Sequence, residues 1–135
     1  MLQNQPKKNH SMNVVDSSGW IEHFQSSARA AFFSDALSNI ADLLVPSLAI
    51  YEVHRRLSPW LTPALMQDCI GVMQVATVVD LTAARAIAAS QAAQKHKLAM
   101  ADAIMYSIAQ EFKAIFWTQD VDYQGLPGVQ YQARA

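Results

Sequence analysis

Four carboxylates in this 135-residue chain stand where an apolar run ends or where a helical pattern begins. Asp16 follows the short β-branched run Asn13-Val14-Val15. Glu52 falls in the second turn of the helix expected after the run Leu43-Leu44-Val45, and Asp102 in the first turn of a later helix. Asp120 comes just after the run Ala114 to Thr118, past Gln119, with Asp122 two residues on. In an open parallel sheet, strand ends and the starts of the following helices share one edge, where ligands bind. Acids far apart in the chain are therefore expected to meet there.

Such a meeting is costly without a cation. Two carboxylates ~4 Å apart repel by roughly 4 kcal/mol at an effective dielectric near 20, and several such pairs would rival the stability of a domain. Protonation or a bound metal relieves the repulsion. A hard divalent ion suits an all-oxygen donor set, so Mg2+ or Mn2+ fits better than zinc; His54 points elsewhere on its helix. An ion of this kind favours phosphodiester hydrolysis, orienting the attacking water and stabilising the leaving 3′-oxygen. Helix N-termini nearby would favour the phosphate anion. One ion or two, and Asp120 or Asp122 as the last ligand, are both open at this level.

The elements that must position these acids are readable in outline. Strands are expected at Asn13–Val15, Leu43–Val45, Val75–Leu81, Ala114–Thr118 and, as a short edge, Val129–Tyr131. Helices are expected after Ser17 and Ser18 as caps, over Ala28–Asp42, over Leu48–Leu57 with Ser47 as cap, from Thr62-Pro63, from Thr82 to about His96, and over Ala99–Lys113. Strands alternate with helices, and the strands are continuous apolar runs, which points to a sheet covered on both faces. The predicted fold class is α/β: three layers, α/β/α, around a central, mainly parallel sheet.

Composition agrees. Hydrophobic residues make up 52% and charged residues 16%, the balance of one packed domain. Its expected bounds are residues 12–135, with residues 1–11 a disordered extension or tag. The longest apolar stretch, Leu43 to Tyr51, is interrupted by Pro46 and Ser47, far short of the roughly 18 residues of a membrane span. Residues 1–11 lack the apolar middle of a secretory signal, so a cytoplasmic location is expected. Cys69 is the sole cysteine, which excludes an internal disulfide and a cysteine zinc site; its apolar neighbours suggest an inert core thiol. A formal charge of −1 weighs against a nucleic-acid partner, since phosphate neutralisation drives that binding, though a bound cation alters the local balance.

Four segments resemble the motifs of the PIN-domain family. Met12-Asn13-Val14-Val15-Asp16-Ser17-Ser18 is similar to the opening motif, a strand ending in Asp before small polar residues. Val45-Pro46-Ser47-Leu48-Ala49-Ile50-Tyr51-Glu52-Val53 resembles the second, and Leu98 to Ala109, carrying Asp102, the third. Trp117-Thr118-Gln119-Asp120-Val121-Asp122-Tyr123, followed by Leu126-Pro127-Gly128-Val129, resembles the last. The resemblance runs from Met12 to about Tyr131 and lies closest to VapC-like toxins. It implies a PIN fold, a Mg2+ or Mn2+ site and endoribonuclease activity on RNA. It also implies a small VapB-like antitoxin partner and a homodimer. By this resemblance Asp16, Glu52, Asp102 and Asp120 form the acidic set, with Asp16, Asp102 and Asp120 on the metal. Ser17, Thr118 and Asp122 would support them. Ser18 stands where relatives often carry Asn.

Each acid also has a plainer reading. Asp16 could cap a helix, Glu52 could pair with Arg55 or Arg56, Asp102 could favour a helix dipole, and Asp120 and Asp122 could serve a turn. Arg55 and Arg56 could touch RNA phosphates, with a solvated helix face as the plainer reading. Trp20, Trp60 and Trp117 could stack bases, with core or dimer packing expected for each; Met66, Met73, Met100 and Met105 are expected in the core or a subunit contact. Lys95, His96 and Lys97 suit a helix C-terminus. A phosphotransfer domain also places Asp at a strand end, but Ser18 stands where one such family needs a second Asp. A non-catalytic PIN-like scaffold is the other alternative, and retention of all four acids argues against it.

Overall fold

Branching at Cβ restricts χ1 and suits valine to an extended chain. Asn13–Val15 accordingly forms the first strand, β1, in the computed structural model of the protein, which describes residues 11–134. Four more strands follow: β2, Leu43–Pro46; β3, Thr77–Val79; β4, Ile115–Thr118; and β5, Val129–Tyr131. They lie in the order β3-β2-β1-β4-β5, every neighbouring pair parallel. Six helices flank the sheet: α1, Ser17–Phe24; α2, Ala30–Ser38; α3, Ser47–Leu57; α4, Pro63–Val75; α5, Ala83–His96; and α6, Met100–Glu111. The expected three-layer α/β architecture is present, and the sheet is wholly parallel.

The central strand β1 sets the frame. Asn13 lies opposite Leu43 on one side and Ile115 on the other, while Val15 lies opposite Trp117. Val14, Val15, Leu43, Val45 and Phe116 are all fully buried, as parallel strands covered on both faces require. The Trp117 indole N–H donates to Asn13 Oδ1 at 2.9 Å, tying β4 to β1 beyond the ladder. Beyond β4, Tyr123 packs on Phe116 with ring centroids 4.7 Å apart. The Tyr106 hydroxyl donates to the Pro127 carbonyl at 2.6 Å, fixing the turn before β5 on α6. Gly125 and Gly128 in that turn have φ of 83° and 78°, a region where a Cβ is strained.

Several expectations are corrected in detail. The second helix ends at Ser38, and a 3₁₀ turn, Ile40–Asp42, leads into β2; Asn39, with ψ of 71°, breaks the helical path. β3 is confined to three residues because β2 offers partners only for Thr77 to Val79; Val75 completes α4 instead. Asp16, not Ser17 or Ser18, caps α1, and Pro46 holds the cap position of α3 without a side-chain bond. Cys69 is only half-buried. Trp60 and Met100 are 79% and 77% exposed on this chain, outside its core. Of the extension expected over residues 1–11, residues 1–10 lie outside the described residues. No described helix is long and apolar enough to cross a membrane.

Candidate functional site

The parallel ladder brings Asp16 to the end of β1, where its N–H donates to the Trp117 carbonyl at 3.0 Å. Both of its carboxylate oxygens are engaged. Oδ1 accepts from the Ser17 N–H at 2.7 Å, and Oδ2 from the Thr118 hydroxyl at 2.9 Å. Thr118 Oγ1 in turn accepts the Asp120 N–H at 2.9 Å. One fully buried hydroxyl therefore links the acids at the ends of β1 and β4. The capping reading of Asp16 is correct as far as it goes: the same carboxylate caps α1 and faces the cluster.

Glu52 reaches the same edge from α3. Its Oε1 accepts the Ser17 hydroxyl at 2.6 Å, and among the described residues it forms no ion pair with Arg55 or Arg56. Asp102 comes from the first turn of α6. The Tyr123 hydroxyl donates to the Asp102 backbone carbonyl at 3.2 Å, and the Asp122 N–H donates to Asp120 Oδ1 at 3.0 Å. One oxygen from each of Asp102, Asp120 and Asp122 lies within 4.8 Å of the others. Thus the expected residues meet at one edge, and both candidates for the last acid stand beside Asp102.

The electrostatics follow from this crowding. Burial pushes the Asp16 carboxyl up to about 7 from an ordinary 3.8; the bonds from Thr118 and Ser17 oppose the rise, and the charges of Asp102 and Glu52 add to it. Burial also raises Asp102, opposed by Tyr123 and reinforced by Asp120, Asp122 and Glu52. Tyr123 is held in its protonated form, by burial first and then by the acids around it. These residues fit a hard divalent cation: every donor is a carboxylate oxygen, the ligand oxygens are already gathered, and a positive charge would relieve the repulsion.

A neighbouring cleft of about 310 Å3 escaped the sequence reading. Ser18, Glu22, Arg29, Arg56, Trp60 and Gln119 are among its walls. Buried Glu22 pairs with Arg29. Burial alone would raise its carboxyl, but the bonds from Arg29 and Gln119 and the guanidinium charge outweigh that and hold it below its ordinary value. The signal that could have found this cleft is spacing: Ser18 and Glu22 on α1, and Glu52 and Arg56 on α3, are each one turn apart.

A model of the PIN domain matches residues 14–128, a span that contains every acid named above. No curated protein matches the chain significantly. Solved structures with the same fold include a chain of the toxin–antitoxin complex from Klebsiella pneumoniae, at 20% identity and a TM-score of 0.74, covering 87% of this chain and 95% of that one. A chain of the DNA-bound VapBC structure from Salmonella typhimurium aligns at 14% identity and a TM-score of 0.72, covering 91% and 98%. VapC20 of Mycobacterium tuberculosis, described as a Sarcin-Ricin loop cleaving toxin, aligns at 16% identity and 0.70, covering 87% and 98%. At these identities the likeness speaks for the fold, and the match to the family model speaks for descent: this chain belongs to the PIN-domain family.

Proposed function

We propose that the chain is a Mg2+- or Mn2+-dependent endoribonuclease, acting in the cytoplasm as the VapC-like toxin of a toxin–antitoxin pair. The observation that carries this reading is the convergence of Asp16, Glu52, Asp102, Asp120 and Asp122 on one sheet edge, with oxygens of three of them within 4.8 Å. Support for the toxin class comes from fold neighbours described as a toxin–antitoxin complex, as VapBC and as a Sarcin-Ricin loop cleaving toxin. A VapB-like antitoxin and a second copy of the chain are the partners of this reading.

The cation supplies Lewis acidity toward a phosphodiester and lowers the pKa of a nearby water. Asp102, Asp120 and Asp122 offer the gathered oxygens that would hold it, with Asp16 beside them. Thr118 and Ser17 hold Asp16 and Glu52 in place by the bonds at 2.9 and 2.6 Å, so that neither rotates away when its charge is uncompensated. With its carboxyl raised to about 7, Asp16 carries a proton over much of the acid range, and a bound cation would favour its charged form.

Cleavage of RNA by the purified chain with Mn2+ tests the proposal. Activity should require the metal, stop with EDTA and fall by at least ~100-fold in Asp16→Asn and Asp102→Asn, the loss typical when a charge-stabilising group is removed, with circular dichroism unchanged. Cleavage that survives both chelation and substitution refutes it. Calorimetric titration with Mn2+ separates the nuclease from a scaffold, which has no need of the ion.

A further inference from the structure

The polar cleft continues the acidic edge in one direction. Glu52, at the edge, and Arg56, in the cleft wall, are one turn apart on α3, and Trp60 follows four residues later. On the facing helix, Ser17 binds Glu52, and Ser18 and Glu22 line the cleft. A carboxylate, a guanidinium and an aromatic ring therefore succeed one another along a single track. The first step is one helical turn, ~5.4 Å of rise, and Trp60 stands in the turn that follows α3, its N–H donating to the Leu57 carbonyl at 2.9 Å.

The chemistry of the walls is that of a polyanion site. Arg29 is committed to Glu22, but among the described residues Arg56 and Arg134 have no ion-pair partner, which leaves the cleft cationic beside an acidic centre. Trp60 is 79% exposed and has no ring partner among the described residues. The Ser18 hydroxyl is buried, lines the cleft and has no hydrogen-bond partner, the condition of a group that awaits one. At about 310 Å3, the space suits a small polar ligand segment.

We infer that this cleft is a subsite for single-stranded RNA, in which Arg56 takes a phosphate adjoining the scissile one and Trp60 stacks a base. The inference rests on the nuclease reading for the position of the scissile bond. Stacking on an exposed tryptophan is tolerant of sequence, whereas a guanidinium beside the acids fixes the strand's path by its phosphate. The cleft also places positive charge where the chain's net charge of −1 offered none.

Anisotropy of a short fluorescein-labelled single-stranded RNA tests the subsite. Every protein carries Asp16→Asn so that the RNA survives, and binding is measured with Mn2+ over a series of salt concentrations. Arg56→Ala should weaken binding about tenfold and lower the slope of log Kd against log salt by about one contact's worth; Arg56→Lys should restore the slope. Trp60→Ala should weaken binding about tenfold with the slope unchanged, and Trp60→Phe should recover most of the affinity. Both side chains are exposed, so melting temperatures should stay close to the parent's. Affinity and slope equal to the parent's in the alanine variants overturn the subsite. If those losses appear but the chain with Asp16 intact cuts no RNA, the nuclease reading fails and the subsite stands. If cutting proceeds with unaltered KM in Arg56→Ala and Trp60→Ala, the reverse holds.

Discussion

Asp16 is pulled two ways. Its place at the buried end of the central strand favours the neutral acid, and a cation among its neighbours would favour the anion. Without metal, the folded chain keeps a proton on Asp16 up to about pH 7, while the unfolded chain loses it near the ordinary value. The contribution of Asp16 to stability is thus fully present below about pH 4 and is lost as pH rises through about 7. In EDTA, the melting temperature should accordingly fall between about pH 4 and about pH 7, and Asp16→Asn should flatten that slope. A slope that persists in the variant would place the titration on another group. At this scale the acids were legible because each stands just after an apolar run or within the first two turns of a helix. Arg56 and Trp60 were legible only as the weaker alternatives of phosphate contact and base stacking, and the Ser18 hydroxyl not at all. An arginine on a helix face reads as solvated, and a tryptophan reads as packing, until a facing helix gives them a common wall.

The elements succeed where hydrophobic pattern and chain stiffness agree, as at Val14-Val15 and Leu43 to Val45. They were misread where a partner sets the limit. Nothing within Val75 to Leu81 announces that β2 is short, and Ser47 looks like a cap although Pro46 holds that position. Gly19 shows how tightly α1 must lie. A Cβ there would stand 2.6 Å from Val15 Cγ1 and 2.7 Å from the Phe33 ring, and both neighbours are fully buried. Gly19→Ala should therefore destabilise the fold by about 1–3 kcal/mol. Gly71, in α4 with open space around its Cβ position, should behave oppositely: Gly71→Ala should add about 0.5–1 kcal/mol through helix propensity. Urea unfolding of both variants checks the pair, and a neutral Gly19→Ala would mean that α1 can lift away from β1.

For the whole molecule, a cation that binds only the assembled edge stabilises the fold by mass action. Mn2+ should raise the melting temperature, and by more at about pH 8 than at about pH 5, because protons and metal compete for the same buried oxygens. An equal gain at both would argue for a metal site elsewhere. The overall architecture was accessible because alternating strands and helices leave few ways to build a sheet; the cleft was not, because it arises only from how α1 and α3 face each other. The strand order has one more consequence. β1 is made well before its neighbour β4, which brings Thr118 and Asp120 more than a hundred residues later. A growing chain that has not yet made β4 holds Asp16 without Thr118 or Asp120 beside it. The acids of this edge therefore come together only once a strand made late has docked beside one made long before it, and a half-made chain carries no assembled cation site.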